Sequence, residues 1–304
     1  MKLPKVMIVI LNWNGTDDTI ECILSVERID YRNYEIVLVD NNSNMKSFRE
    51  IESKFPRLKI IRNKTNLGFA EGNNIGLEHA LNHDFQYVLL LNNDTIVNKN
   101  FLSILVNYIE KHQDVGICGP VMCYYDNRKC VWQTGGFYSV ITGRLRMKYS
   151  GEKITSIKER VLDLDYIPGA CLLIRTSIIR KIGLLDVSFF NQCEDLDWGL
   201  KTKLISKRVV CVTDSIIYHK VSNSTPTCVN NYFRFRNLLA IDQRYSKNIT
   251  ISFFILFISA IINIIRYLIK FKLLQVKYII YGIRDFYKGN MGIGSLKDLL
   301  NIRE

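Results

Sequence analysis

Residues 87–97 read Tyr-Val-Leu-Leu-Leu-Asn-Asn-Asp-Thr-Ile-Val, and this stretch decides the fold. Its apolar run predicts a buried strand, and Asn92, Asn93 and Asp94 follow at the carboxyl end of that strand. In an open α/β sheet, ligands bind in the crevice outside the carboxyl ends of the strands. A carboxylate at that point suits a hard divalent cation carrying phosphate oxygens, although capping of the next helix would also explain it.

The chain before this stretch alternates apolar runs with segments of helical spacing. Strands are predicted at 6–11, 34–39, 58–61 and 87–91, and helices at 17–26, 72–81 and 100–111. Strands that alternate with helices imply an α/β fold, in which a mixed, mostly parallel sheet is flanked by helices.

The alternation weakens after this region, and the composition changes again near residue 248. We expect a less regular subdomain over 116–165, and renewed order from the apolar run at 167–175 onward. The sequence therefore predicts one large domain over 1–247, with a nucleotide-binding half over about 1–115 and an acceptor half over about 116–247. A basic, apolar helical tail over 248–304 completes the chain.

The net charge of +12 is unevenly distributed. Residues 1–200 hold 24 Lys and Arg against 24 Asp and Glu, whereas residues 201–304 hold 17 against 5. This asymmetry points to an anionic partner for the last third, either a membrane surface or a nucleic acid. No recognition-helix or RNA-binding motif accompanies the charge, so a nucleic-acid partner is not expected.

Eight cysteines form no C-x-x-C pair, and we interpret them as free thiols. The first residues do not have the pattern of a signal peptide, because the apolar stretch is short and ends at Asn12. We therefore expect a reducing, cytoplasmic setting, on the inner face of the cell membrane if the tail binds lipid.

The tail contains two unusual segments. Residues 249–265 are almost wholly apolar, and residues 266–281 mix cations with apolar and aromatic side chains. This composition favours helices that lie in a membrane interface, while a membrane span or a soluble dimerisation or core helix remain alternatives.

Four polar stations are candidate site segments: 12–15, 40–43, 92–94 and 194–197. We expect each of them just after a strand, so that all four line one cleft. Taken singly, each is also explained as a turn, a helix cap or a helix N-terminus enriched in acids.

In these blocks the chain resembles the inverting, GT-A fold glycosyltransferases of family 2, and in particular rhamnosyltransferase-like bacterial enzymes of cell-surface polysaccharides. The resemblance covers about residues 4–245. It rests on blocks at 6–15, 36–43, 66–74, 89–94, 168–175 and 194–197, and on Tyr218-His219 with Ser222 and Ser224.

The resemblance implies a site for a nucleotide-diphosphate sugar. Asp40 would accept from the ring N–H of uracil or thymine, and Asp94, together with His219, would hold Mg²⁺ or Mn²⁺ on the diphosphate. The family often has an acid where this chain has Asn92, which removes one charge from the metal site. The implied donor-binding residues are Asn12, Asn14, Asp40, Asn42, Asn66, Gly68, Asn74, Asn92 and Asn93.

The resemblance also implies the acceptor side. Asp195 matches the family base that takes the proton from the acceptor hydroxyl, with Glu194 as the second candidate. Asp197 is expected to orient the site or cap a helix. The residues placed on the acceptor side are Gly169, Asp197, Trp198 and Arg236. Either Arg234 or Arg236 would meet the diphosphate of a lipid-linked acceptor, and a salt-bridged scaffold role for these arginines is an equal alternative.

The predicted function is transfer of a sugar, rhamnose-like as the leading choice, from a dTDP or UDP donor to a glycan or polyprenyl-diphosphate-linked acceptor. One alternative is a sugar-nucleotide pyrophosphorylase, but residues 12–15 lack the basic loop that a triphosphate needs. The other is a non-catalytic protein that binds anionic surfaces.

Overall fold

The computed structural model describes residues 3–221 and 226–299. Its helices are α1 (Thr16–Val26), α2 (Met45–Lys54), α3 (Gly68–Leu81), α4 (Phe101–Lys111), α5 (Thr176–Ile182), α6 (Glu194–Leu204), α7 (Thr227–Tyr245), α8 (Ile249–Ile269), α9 (Leu273–Lys288) and α10 (Leu296–Leu299). Its strands are β1 (Val6–Asn12), β2 (Tyr34–Asp40), β3 (Lys59–Arg62), β4 (Tyr87–Asn92), β5 (Thr95–Val97), β6 (Val115–Tyr124), β7 (Val131–Gln133), β8 (Gly136–Tyr138), β9 (Leu145–Met147), β10 (Val161–Leu164), β11 (Cys171–Arg175) and β12 (Arg208–His219).

Ten of these strands form one mixed sheet in the order β10-β12-β6-β11-β4-β1-β2-β3, with β5 paired to β12 and β7 paired to β6. The pairs β3-β2-β1-β4 are all parallel, and β12 is parallel to β6. The strand β11 runs antiparallel between β4 and β6. This arrangement confirms the predicted α/β class with a mostly parallel sheet flanked by helices.

The core lies on both faces of this sheet. The strands β1 and β4 are buried along almost their whole length, because helices cover both faces and every side chain of a central strand meets apolar neighbours. All eight cysteines are free, as expected, and most of them are buried in or beside this core.

Two sequence-based expectations were wrong in detail. The segment from 116 was expected to be irregular, yet β6 is a ten-residue buried strand in the middle of the sheet. Small residues interrupt its apolar run in the sequence. One of them is Gly119, where a side chain would collide with Ile167. The helix α3 also begins at Gly68 rather than at residue 72. At this start, the side chain of Asn66 accepts a hydrogen bond from the Gly68 N–H.

The helix α8 extends four residues beyond the predicted apolar segment, to Ile269. Its length and composition would suit a membrane crossing, and only 11% of its most apolar 18-residue stretch is buried. It does not stand apart from the rest of the chain, because α7 packs against both α8 and α9 through side chains around Phe235, Ala260 and Ile279. The division of the chain at residue 247 stays a prediction.

Candidate active site

The carboxyl ends of three parallel strands meet at one edge of the sheet. Register pairs Asn12 with Asp40, and pairs Leu11 with Asn92. Three of the four polar stations therefore lie side by side, as the alternation predicted. The fourth station differs, because Glu194 begins α6 after a loop rather than following a strand.

Asp40 is buried at the end of β2. Its carboxylate accepts hydrogen bonds from the Asn12 amide at 3.1 Å and from the backbone N–H of Ser43 at 3.1 Å. The guanidinium of Arg62, on the neighbouring strand β3, lies 3.5 Å away. These contacts keep a buried carboxylate satisfied and fix its direction.

Asn12 organises the turn after β1. Its oxygen accepts from the Gly15 N–H, from the Thr19 hydroxyl and from the Asn93 amide, at 3.0–3.2 Å. Asn93 also donates to the Thr19 hydroxyl at 2.9 Å. The buried Asn12 side chain and the Asn93 amide thus make their hydrogen bonds within the protein and fix the turn at this edge of the sheet.

Asn41 is a second organiser, and the sequence analysis did not single it out. Its amide donates to Asn66 at 3.0 Å and to the Gly68 carbonyl at 2.9 Å, and its oxygen accepts from the Asn63 amide at 2.9 Å. Its position directly after Asp40, inside the recognised block 36–43, is the sequence signal that could have identified it as a site residue. Gly68 has a φ of +79° and a Cβ there would meet the Phe190 carbonyl, so only glycine fits.

The remaining donor-side candidates differ in placement. Asn14 and Asn42 both adopt positive φ at the mouth of this edge, and the Asn14 side chain accepts from the Asn44 N–H at 2.8 Å. Asn74 lies elsewhere, because its amide group makes two hydrogen bonds to the backbone of Leu185, at 2.9 and 3.0 Å. That pairing makes Asn74 a clamp between α3 and the segment before α6, which corrects its placement among the donor contacts.

Asp94 and His219 come together as the resemblance implied. The antiparallel pairing of β5 with the end of β12 places the Nε2 atom of His219 3.1 Å from Oδ1 of Asp94, and both residues are buried. Trp132 stacks on the imidazole with ring centres 4.2 Å apart. The adjacent Lys220 pairs with Asp18 on α1 at 2.6 Å, which anchors the end of β12.

This pair fits a divalent cation as a partial ligand set. Neighbouring ligands of an octahedral ion with bonds of about 2.1 Å are separated by about 3 Å, which matches the 3.1 Å between these two atoms. No third His, Cys, Asp or Glu joins them within residues 3–221 and 226–299. Mg²⁺ and Mn²⁺ sites of this kind are completed by phosphate oxygens and water.

The ring of His219 also accepts a hydrogen bond at Nδ1 from the Val221 N–H, at 3.0 Å. Ligation through Nε2 would therefore favour a proton on Nδ1 and loosening of that bond. The matching residues Ser222 and Ser224 lie outside the described residues.

A cleft of about 620 Å³ opens beside these strand ends. Glu194 and Asp195 lie in its wall at the first turn of α6, with Asn92 and Trp132 on the side of the Asp94–His219 pair. Asp195 accepts from the Gly169 N–H at 3.0 Å and from the Leu196 N–H at 2.8 Å. A Cβ on Gly169 would collide with the Phe69 ring, which also lines the cleft.

The two carboxylates of α6 have unusual acidity. Burial raises the pKa of Asp195 above its ordinary value, even though three backbone N–H groups act to lower it. Burial, followed by the nearby charge of Asp195, raises the pKa of Glu194 well above its ordinary value. A carboxylate with a raised pKa is a stronger base once deprotonated.

Three buried polar atoms in the cleft wall have no hydrogen-bond partner among the described residues. They are the Tyr166 hydroxyl, Oε2 of Glu194 and Oε1 of Gln133. Buried groups of this kind are rare in folded proteins and require an explanation, and a polar ligand is one. The sequence offered no signal for Tyr166 or Gln133, since both lie outside the recognised blocks.

Three of the predicted acceptor-side residues are instead part of the scaffold. Asp197 is fully buried and bonds Tyr245 on α7 at 2.7 Å, Trp198 donates to the Gly183 carbonyl at 3.1 Å, and Arg236 is buried. The Arg236 guanidinium donates to the carbonyls of Gly292 and Phe189, at 2.7 and 3.1 Å.

Arg234 takes the position that Arg236 was expected to fill. It lies two residues earlier on α7, is exposed, and lines the cleft. Neither an ion pair nor a hydrogen bond satisfies its guanidinium in the part of the chain that the structure describes. Of the predicted acceptor-side set, Gly169 alone lines the cleft.

Known proteins share this architecture. The family described as "Glycosyl transferase family 2" matches residues 7–183, more than half of the chain. The rhamnosyltransferase WbbL of Escherichia coli is 24% identical over 238 residues, which cover 75% of this chain and 88% of WbbL. An uncharacterized glycosyltransferase of Haemophilus influenzae is 28% identical over 130 residues, 42% of this chain but 39% of that protein.

Solved structures agree on the fold. GalNAc-T7 with UDP, GalNAc and Mn²⁺ superposes with a TM-score of 0.58 at 19% identity, over 83% of this chain and 54% of that one. The mannosyltransferase PcManGT of Pyrobaculum calidifontis, in complex with GDP-Man and Mn²⁺, has a TM-score of 0.56 at 14% identity, over 99% of this chain and 80% of that one. The chain has the GT-A fold and belongs to glycosyl transferase family 2.

Proposed function

We propose that this glycosyltransferase moves a sugar, with inversion, from a UDP or dTDP donor to a hydroxyl of a glycan or lipid-linked acceptor in cell-surface polysaccharide synthesis. One observation carries the proposal: the cleft holds Asp195 in a fixed orientation beside buried polar atoms that lack partners among the described residues. A rhamnose-like sugar is our leading choice of donor, supported by the similarity to WbbL.

The donor end of the proposal rests on the strand edge. Asp40 ends β2 with a carboxylate that Asn12 and the Ser43 N–H hold in one direction, and a carboxylate suits the N–H of a uracil or thymine ring. One of the similar structures contains UDP and the other contains GDP-Man, so these comparisons support a nucleotide-sugar donor without specifying its nucleobase. The proposed choice of uracil or thymine rests on Asp40.

Asp94 and His219 would hold Mg²⁺ or Mn²⁺ against the donor diphosphate. When bound, the cation neutralises charge on the departing nucleoside diphosphate. Asn92 lines the cleft beside this pair with a neutral side chain, so the site has one charge fewer than an acidic residue there would give.

Asp195 is the proposed base. Its carboxylate takes the proton of the acceptor hydroxyl while that oxygen bonds to the anomeric carbon, and the bond from that carbon to the diphosphate breaks on the opposite face. The backbone N–H groups of Gly169 and Leu196 hold the carboxylate in place during this step. Because the pKa of Asp195 is raised, the base is lost on acidification at a higher pH than for an ordinary aspartate.

The acceptor is proposed to enter past α7. Arg234 on this helix offers a cation to the phosphates of a polyprenyl-diphosphate carrier, which would be found at the cytoplasmic face of the membrane. Glu194 and Tyr166 are placed to accept or donate hydrogen bonds to sugar hydroxyls.

The two rival functions have less support. A pyrophosphorylase needs cations around a triphosphate, whereas the turn after β1 is organised by the amide of Asn12. A non-catalytic surface-binding protein would not require a directed carboxylate in a cleft.

The decisive experiment is a donor hydrolysis screen. UDP and dTDP sugars are incubated with Mg²⁺, Mn²⁺ or chelator, and released nucleoside diphosphate is measured. We expect release from one donor class, dependent on the cation. Formation of nucleoside triphosphate and sugar 1-phosphate when pyrophosphate is added, or no turnover with any donor while anionic polymers bind, would replace this proposal with one of its rivals.

A further inference from the structure

The helix α8 is apolar on two opposite faces, and only one of them is covered. Its inner face repeats every three to four residues and packs on α7 and α9; it consists of Ser252, Leu256, Ala260, Ile264 and Tyr267. The outer face has the same period and is exposed; it consists of Phe254, Phe257, Ile258, Ile261, Ile262, Ile265, Leu268 and Ile269. A contiguous exposed face of eight large apolar side chains is typical of a site of membrane or protein interaction.

The charges around this outer face favour an anionic lipid surface. Residues 248–284 contain five cations, at 266, 270, 272, 277 and 284, and no Asp or Glu. The first acid after them, Asp285, is buried and accepts from the Tyr232 hydroxyl at 2.6 Å. A face that must meet a second copy of the same basic surface would suffer repulsion, whereas anionic headgroups complement it.

The attachment of α8 to the catalytic half argues against a crossing. Near its first turn the Ser252 hydroxyl lies beside the buried Asp242 carboxylate of α7. Near its last turn the Tyr267 hydroxyl accepts from the Asn231 amide, also on α7, at 3.1 Å. The two helices therefore run antiparallel along their length, so α8 can cross a bilayer only by taking α7 with it.

The helix α7 cannot accompany it into lipid. The same helix lines the catalytic cleft with Asn230 and Arg234 and buries the Arg236 guanidinium against backbone carbonyls. A charged cleft wall in the hydrocarbon region would be costly. We propose that α8 lies in the plane of the membrane, with its outer face inserted among the lipids of an anionic leaflet, as a monotopic anchor.

This orientation brings the cleft to the membrane. With α8 in the interface, α7 lies directly above it, and its Arg234 side faces the cleft that a lipid-linked acceptor would enter. That last step rests on the proposed function, whereas the placement of α8 does not.

The first test uses the full chain and phosphatidylcholine vesicles with or without phosphatidylglycerol. The variant Phe254→Glu/Phe257→Glu alters two side chains that are 63% and 59% exposed, so the fold should be retained. We expect strong sedimentation with the anionic vesicles, reduced at least about a hundredfold in the double variant. The matched control is Leu204→Glu, which alters an apolar residue at the end of α6 that is 73% exposed and lies outside α8, and it should bind as the parent does.

The second test separates an in-plane helix from a span. Lys247→Cys and Lys272→Cys place thiols at the two polar ends of α8. The protein is bound to vesicles from the outside, and a membrane-impermeant maleimide is then added to the outer solution. Peptide mass spectrometry distinguishes them from the native cysteines. Labelling of both ends supports the in-plane helix, whereas protection of one end would overturn it.

Other outcomes are equally informative. Unchanged vesicle binding of the double variant would overturn the proposal, and so would loss of a dimer without loss of vesicle binding, since the covering partner would then be a second copy. Donor hydrolysis by the same variants in detergent is measured in parallel. A double variant that hydrolyses donor but does not bind vesicles supports the anchor, and failure of hydrolysis in the parent counts against the proposed function alone.

Discussion

The proposed donor side, at the strand edge, and the proposed acceptor side, in the cleft wall, are built in opposite ways. At the strand edge, the polar side chains of Asn12, Asp40 and Asn41 bond to neighbouring side chains and to backbone groups. In the cleft wall, buried atoms of Tyr166 and Glu194 have no partner among the described residues. Under the proposed function, the strand edge would be a rigid frame for the nucleotide, and the hydrogen bonds of the cleft wall would be completed by the sugars.

The largest effect is expected from the base on the acceptor side. Asp195→Asn keeps the size of the side chain and removes the proton acceptor, so kcat should fall about 10²–10⁴-fold with little change in melting temperature. Glu194→Gln is the matched control, and it should retain more activity. Equal loss in the two variants, or normal transfer by Asp195→Asn, would remove Asp195 from this role.

The next largest effect concerns the junction between the two sides. Asp94→Ala removes one of two candidate ligands, and the Mn²⁺ concentration for half-maximal activity should rise at least about a hundredfold. Electron paramagnetic resonance of free Mn²⁺ measures binding without turnover, and Asp84→Ala, an exposed acid, serves as control. Unaltered Mn²⁺ affinity would place the cation elsewhere.

A test of the donor-side frame compares two asparagines at neighbouring strand ends. Asn12→Ala leaves buried partners unsatisfied and should lower the free energy of unfolding by about 2 kcal/mol. Asn92→Ala alters a side chain that opens to the cleft, so its unfolding free energy should stay within about 0.5 kcal/mol of the parent. Urea denaturation of both variants checks this, and equal losses would show that the two positions are not different in kind.

The smallest effect is expected from Arg234→Ala. Loss of one charge-assisted contact should raise KM for a lipid-diphosphate acceptor about tenfold, while donor hydrolysis stays unchanged. Arg236→Ala should instead destabilise the whole fold, because its guanidinium satisfies buried carbonyls. A change of KM for the donor alone would contradict the assignment of Arg234.

The sequence predicted the sheet and the residues at its edge because apolar runs and strand ends are local features. The sequence could not predict which side chains of a helix face the interior and which face the cleft. Arg234 and Arg236 are two residues apart on α7, and distant segments of the chain, which contain Phe189 and Gly292, bury Arg236, whereas Arg234 faces the cleft. For the same reason the sequence could not show that Asp197, in a recognised block, and Trp198, directly after it, bond to other parts of the scaffold.

The strand β6 illustrates the other limit. Its neighbours in the sheet, β11 and β12, lie far along the chain, so nothing local identified residues 115–124 as a central strand. Gln133 lies on β7, which pairs with β6, and Tyr166 lies between β10 and β11 in a bridge to Gly136.

The antiparallel contact of α7 with α8 has a consequence for substrate length. A single helix separates Arg234 from the proposed membrane helix, so the reaction centre would stand about one helix diameter, about 10 Å, above the lipid surface. At that height, a lipid-linked acceptor of the proposed kind would bring the sugars close to its carrier to the cleft, and the far end of a long glycan would lie out of reach. Acceptors of increasing length should therefore be used with decreasing efficiency.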